Sequence, residues 1–395
     1  MDSGIHRFKI HIISSFLHNL KVRNHQGLTS APDDRRTFKR SALQTLKLSI
    51  RRMKLILLFL LILVFPLQPK PEEKMMISRI SYIMHLKATL GQEYWPGFNT
   101  VAGDVPLVYF TDSASYITNP TPRFMAMFRP VQIYHSAEIN IYKTPERINH
   151  HPFHMSTGMD LLDTTAFNFR APFMFCSSPE TTKKVVTDLG STEEWATMVL
   201  HEYFHGFQFR HEPMLDYYLR NVYPVTADSL HRVYKGHSWF KRLTDEENGL
   251  LLLAISSTDS TTMATYLQLF KDKRKEKRDS CREKLRIDIR KYEGYYEKLE
   301  GSARYVEYQL MNSFHTLPPD KALQKSDTFY TANKQFSDFQ LEKNTWLFET
   351  THSANYTYAT GFNMTRLLDK LKRPYKEQLF TNAPLFLDSL VLQQP

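Results

Sequence analysis

The chain is poor in cysteine, with two in 395 residues, Cys176 and Cys281. A disulfide scaffold and a four-cysteine metal site are therefore excluded, and one disulfide is the most the chain could form. Long hydrophobic runs are missing as well. The run at residues 55–65 has eleven apolar residues. As a helix it would span roughly 16 Å, about half of the ~30 Å bilayer core. Net charge is scarce once the N-terminus is set aside. Of the formal +10, residues 1–52 carry +8 and residues 53–74 carry +1, which leaves +1 for the remaining 321 residues. Binding to phosphate backbones needs clustered cations on a folded surface, so no nucleic-acid partner is expected.

What is present is a globular composition, 42% hydrophobic and 13% aromatic, enough to bury a sizeable core. Residues 55–65, preceded by Arg51, Arg52 and Lys54, have the form of a secretory h-region. Met53-Lys54 is a natural start, which makes residues 1–52 a basic leader from a misplaced initiation codon. Residues 53–75 then read as a signal peptide or signal-anchor plus a linker. The anchor reading, with membrane attachment through residues 55–65, stays open because no Ala-x-Ala cleavage site is visible. Either way the remainder is expected in an extracytoplasmic space: periplasmic, secreted or membrane-anchored.

Residues 76–395 show no repeat or low-complexity break and read as one domain with two lobes. The first lobe, to about residue 190, has short β-like runs at 106–110, 131–135, 138–142, 166–169 and 172–176. The second, 191–395, is helical, with helices expected at 191–209, 244–256, 261–276, 282–312 and 359–372. Ser191 is the expected N-cap of the first helix, with Glu194 as its capping-box partner. Strands followed by helices indicate an α+β arrangement. The charge-dense stretch 271–290 reads as a solvated helix face.

Chemistry enters in the first helix, which contains His201-Glu202-Tyr203-Phe204-His205, an H-E-x-x-H pattern. Histidines four apart stand about 40° from each other on one helical face, so both imidazoles can reach one zinc ion. Glu202, about 100° round, is placed to take a proton from a metal-activated water. Val199, Leu200, Tyr203, Phe204 and Phe207 cover the opposite face, as expected for a helix buried on its back. A hydrolytic zinc needs a third protein ligand. His211 has the spacing for it, but Gln208 stands where a helix-breaking Gly would be required. In an unbroken helix His211 would lie about 15 Å along the axis from His201.

A second stretch, Tyr295-Tyr296-Glu297-Lys298-Leu299-Glu300-Gly301-Ser302-Ala303-Arg304-Tyr305, together with H-E-x-x-H, resembles the gluzincin-type zinc metallopeptidases. In those enzymes E-G-x-A-x-Y on a later helix supplies the third ligand. The resemblance implies a zincin-like fold, Zn2+ held by His201, His205 and Glu300, and a peptide or protein substrate. Small Gly301 and Ala303 would let this helix approach the zinc helix. Glu297 and Glu307 are the rival carboxylates. The 94 residues between His205 and Glu300 are similar to the spacing in exported bacterial peptidase-like proteins with an inserted helical hairpin, here 247–274. A third patch, Tyr356-Thr357-Tyr358-Ala359-Thr360-Gly361-Phe362, resembles the helix start that follows in the same proteins. Tyr358, with Tyr356 as alternative, would help stabilise the oxyanion. Residues 166–176 are a candidate edge strand for an extended peptide.

Two alternatives stay open at this stage: a non-catalytic cell-surface binding or structural module that keeps the fold, and a zinc hydrolase acting on another amide. Residues 150–154, with three histidines, read as a polar loop. Asn355 and Asn363 begin glycosylation sequons. Oligomeric state and side-chain preference are not encoded in any motif.

Overall fold

The computed structural model describes residues 71–148 and 154–393, together with positions 49 and 53. The chain divides into two units between Gln68 and Pro69, and the second is described below. The leader, the apolar run 55–65 and most of the histidine-rich 150–154 segment lie outside the described residues. Among the described residues no helix is long and apolar enough to cross a membrane.

The unit opens with helix α1 (Pro71–Tyr94), where the sequence suggested a linker running to residue 75. Its start carries ordinary N-terminal signals, Pro71 in the first turn and Glu72 and Glu73 beside the positive end of the dipole. Met76, Ile80, Ile83, Leu86 and Leu90 form its buried stripe. Arg79, fully buried, is held by Asp327 at 2.7 Å and Glu180 at 2.6 Å.

Six short strands follow: β1 (Leu107–Phe110), β2 (Ser115–Thr118), β3 (Val131–His135), β4 (Asn140–Thr144), β5 (Met155–Gly158) and β6 (Phe173–Cys176). A short helix, α2 (Pro122–Phe128), interrupts them after β2. They form one mixed sheet in the order β3-β4-β2-β1-β6-β5. β1 and β6 are parallel, with Val108 opposite Phe175, and the other neighbours are antiparallel. The central strands are covered on both faces. Leu107, Tyr109, Met174 and Cys176 enter the main core, while Val108, Phe110, Phe173 and Phe175 pack with Phe124 of α2 in a smaller one. A strand buried on both faces reads as a continuous apolar run, which is why β1 and β6 were legible. Residues 166–169 form no strand beyond one bridge from Phe169 to Asp160. The edge next to the helices is β5, a strand the sequence reading did not mark.

The helical part begins with α3 (Thr192–Phe209). Its N-cap is Ser191, which accepts from the Glu194 N–H at 3.1 Å. The Glu194 carboxylate closes on Gly190 N–H at 2.7 Å, one residue before the position of a standard capping box. A hairpin of α4 (Ser238–Ser256) and α5 (Ser260–Leu285) comes next, then α6 (Arg290–Ser313), α7 (Tyr356–Lys370) and the short α8 (Leu387–Val391). The break between α5 and α6 falls at Arg286, in the left-handed region at φ 59°. α6 is the central post, packed against both α3 and α7. The whole is α+β, with α1 an addition to the strands-then-helices order. The 271–290 stretch is not simply a solvated face: Arg274 and Lys277 are buried at 1% and 0% exposure. Cys176 and Cys281 are both buried and unpaired, so no disulfide forms between them.

Candidate metal centre

Helix α3 presents His201 and His205 toward α6, where Glu300 meets them. The three residues are 6–8% exposed. Nε2 of His205 lies 3.2 Å and Nε2 of His201 3.8 Å from Glu300 Oε2, and the three ligand atoms all lie within 4.8 Å of one another. Ligand atoms bound at ~2.0–2.1 Å around a tetrahedral zinc stand about 3.3 Å apart, so the three would close up somewhat around an ion of that kind.

The proton positions can be deduced from the surrounding hydrogen bonds. Ser302 donates its hydroxyl to Lys298 O at 2.7 Å and so must accept from Gln208 Nε2 at 2.8 Å, which also donates to Leu299 O at 2.9 Å. That fixes the Gln208 amide, and its Oε1 can only accept from His205 Nδ1, at 2.8 Å. His201 Nδ1 likewise faces a carboxylate, Glu307, at 3.1 Å. Both rings therefore direct their Nδ1 protons outward and turn Nε2 toward Glu300, the nitrogen open to a metal ion or to a second proton. Glu300 Oε2 is buried and receives no well-directed hydrogen bond. Glu202, Glu300 and Glu307 set three carboxylates around this point. These observations fit a divalent metal of borderline softness, and they make this the metal-type cluster found among the described residues.

The titration behaviour follows from the same charges. Burial works against a protonated His201, but the Glu300 and Glu307 carboxylates beside its two nitrogens outweigh it and lift its pKa to about 10, so a metal ion would bind Nε2 by displacing that proton. His205 is opposed by burial and raised by Glu300. Burial would raise the Glu300 carboxyl, yet the two imidazoles hold it well below the usual range. Burial pushes Glu202 up, the His205 and His201 rings pull it down, and the net shift is upward. Thr157 of β5 fastens Glu202 twice, by its N–H to Oε2 at 3.2 Å and by its hydroxyl to the Glu202 carbonyl.

Tyr358 arrives from the first turn of α7. Its ring lies nearly parallel to the His201 imidazole, 13° apart with centroids at 5.9 Å. Burial, then the Glu300 and Glu202 carboxylates, push its phenol well above the ordinary value. The alternative, Tyr356, points elsewhere: it is fully buried and donates to Glu293 at 3.3 Å.

The close approach expected at Gly301 is real but has a different partner. A Cβ there would stand 2.2 Å from the Gly361 carbonyl carbon, and one on Gly361 would meet Glu297 O at 2.2 Å. Two glycines thus set α7 against α6, bringing Tyr358 beside Glu300, while α3 uses Gly206 against Val105. Gly361 stood in the third quoted patch, and nothing there marked it as a crossing point.

The remaining candidates are dispersed. His211 caps the next short helix, with Nδ1 on Phe207 O at 3.0 Å and its ring against Phe207 and Phe380. Glu297 pairs with Arg274 and Thr360. Glu307 does not join the ligand atoms but orients one of them. Asn355 and Asn363 are buried and donate to Ala227 O and to Asn248 and Phe348 O, so neither sequon can carry a glycan in the folded chain. Residues 166–176 do not form the edge: β6 is interior and β5 takes that place.

Comparison with protein families, with curated proteins and with solved structures gives no match for this chain.

Proposed function

We propose that the protein is a zinc-dependent metallopeptidase of gluzincin type, with a zincin-like fold, that hydrolyses peptide bonds. The observation that carries this reading is the convergence of two Nε2 atoms and the Glu300 carboxylate on one point, with Glu202 beside them. Zinc held by His201, His205 and Glu300 would act as a Lewis acid and lower the pKa of a coordinated water toward ~7.

The chain's own residues supply the rest. Glu202, fixed by Thr157, accepts the proton of the attacking water and returns it to the departing amine. Tyr358 offers its hydroxyl to the oxygen that gains charge as the scissile carbonyl becomes tetrahedral. β5 has a sheet partner on one side only, so an extended peptide can pair with its free edge next to Glu202. The carboxylate of Glu202 favours this reading over a non-catalytic module, because a purely structural site would not need it. Export or membrane attachment through residues 55–65 belongs to the same reading.

Glu202→Gln is the test. Zinc content should stay at one per chain while turnover of a mixed peptide pool falls by at least about 10²–10⁴-fold. An unchanged rate would remove Glu202 as the base and the mechanism with it.

A further inference from the structure

Arg304 is a buried arginine whose nearest carboxylates, Glu307 and Glu300, act on it from beyond ion-pair distance. The other buried arginines are answered by carboxylates: Arg79 by Asp327 and Glu180, Arg274 by Glu297 and Glu293. No ion pair forms at Arg304 among the described residues, its Nε has no hydrogen-bond partner, and it is 6% exposed. Burying a guanidinium without a paired carboxylate is costly. The contacts of Arg304 are specific. Nη1 donates to Trp346 O at 2.6 Å and reaches Ser353 Oγ at 3.5 Å. The guanidinium carbon lies 4.9 Å from the Trp346 ring centre and 4.6 Å from that of Tyr358.

Arg304 follows Glu300 by one helical turn on the same face of α6. Tyr358 is therefore flanked by two neighbours, Arg304 over its ring and the His201 imidazole nearly parallel to it. The glycine crossing and the Asn355 cap fix the backbone of Tyr358. The direction of its ring is left to these flanking groups and to the Glu300 carboxylate at its hydroxyl.

We propose that Arg304 is a positioning residue for Tyr358, holding the phenol against His201 with Trp346 as its back plate. This rests on the peptidase reading for its consequence in catalysis, but the placement can be measured without it. A planar guanidinium can stack on an aromatic face and an ammonium cannot do so equally, so Lys is not an adequate substitute.

The experiment places a single 3-fluorotyrosine at position 358 of the full chain and follows its fluorine resonance. One narrow line is expected in the otherwise unaltered chain, and a shifted or broadened line in Arg304→Met and Arg304→Lys. Trp346→Ala removes the partly exposed plate and should shift the line less, so it supplies a reading even if the arginine variants fold poorly. Unchanged resonances in the folded variants overturn the proposal. In zinc-loaded protein with Tyr358 intact, Arg304→Met should lower kcat about 10- to 100-fold with KM nearly constant, and should add nothing in a Tyr358→Phe background. If the unaltered protein hydrolyses no peptide in the presence of zinc, the peptidase reading fails while the resonance still decides the role of Arg304.

Discussion

Two clusters of charge are buried within a few residues of each other on α6, and they are built in opposite ways. Around Glu293 and Glu297 the chain supplies its own cations. The α4–α5 hairpin brings in Arg274, Lys277 and Arg278, with Glu247, and α8 adds Asp388. Lys277 sits 2.6 Å from Glu247, and Arg278 2.7 Å from Asp388. One turn further on, Glu300 meets two imidazoles that have already spent their Nδ1 protons and turn Nε2 toward it. The first cluster is close to balanced by covalently fixed charge. The second gathers metal-ligating side chains, and in the proposed function a cation from outside the chain completes it. The presence of buried carboxylates does not separate the two, since both have them. What separates them is where the countercharge comes from.

The sharpest way to break this contrast is to remove a fixed cation. Lys277→Met leaves Glu247 and Glu293 facing each other without their ammonium. Stability should fall by about 3–5 kcal/mol, read from denaturant unfolding with and without zinc. A loss of the same size that zinc could reverse would mean the two clusters are not independent.

A smaller effect is expected from pH. The ionic cluster holds four carboxylates against three cations. Burial raises Glu297 to about 7 despite Arg274, while Lys277 and the arginines keep Glu293 below its usual range. The folded cluster thus keeps a proton that the unfolded chain releases above an ordinary carboxyl pKa of about 4.3. That stabilisation is complete below the unfolded pKa and is lost as pH climbs toward 7. Between pH 5 and 8 the melting temperature should drop, by the equivalent of about 1–3 kcal/mol, and Glu297→Gln should flatten the slope. A slope that survives the substitution would assign the proton elsewhere.

The sequence was most informative where periodicity and chemistry coincide. His201 and His205 share a helical face by spacing alone, and the buried back of α3 is written in Val199, Leu200, Tyr203, Phe204 and Phe207. Glu300 came from a resemblance, since no periodicity places residue 300 beside residue 205; the packing of α6 on α3 does that. Gln208 was read as unable to break the helix, and in the structure it continues the helix and fixes the His205 tautomer. The misreadings have physical causes. α1 begins in a Pro-Glu-Glu segment that looks like a linker until its apolar stripe is followed onward. β5, four residues of Met-Ser-Thr-Gly, has neither apolar alternation nor β-branched density, and its place depends on pairing with β6. The 271–290 run looked solvated because its partners Glu247, Glu293, Glu297 and Asp388 are remote in sequence, so the burial of Arg274 and Lys277 could not be inferred from local composition.

The central claim is that one metal ion sits between α3 and α6. Calorimetric zinc titration of the metal-free protein, paired with X-ray absorption of the loaded form, tests it most directly. The expected result is one zinc per chain, bound by two imidazole nitrogens and carboxylate or water oxygen at about 2.0–2.1 Å, with affinity falling at least tenfold in Glu300→Gln. Absence of stoichiometric binding, or full affinity retained in Glu300→Gln, would contradict it.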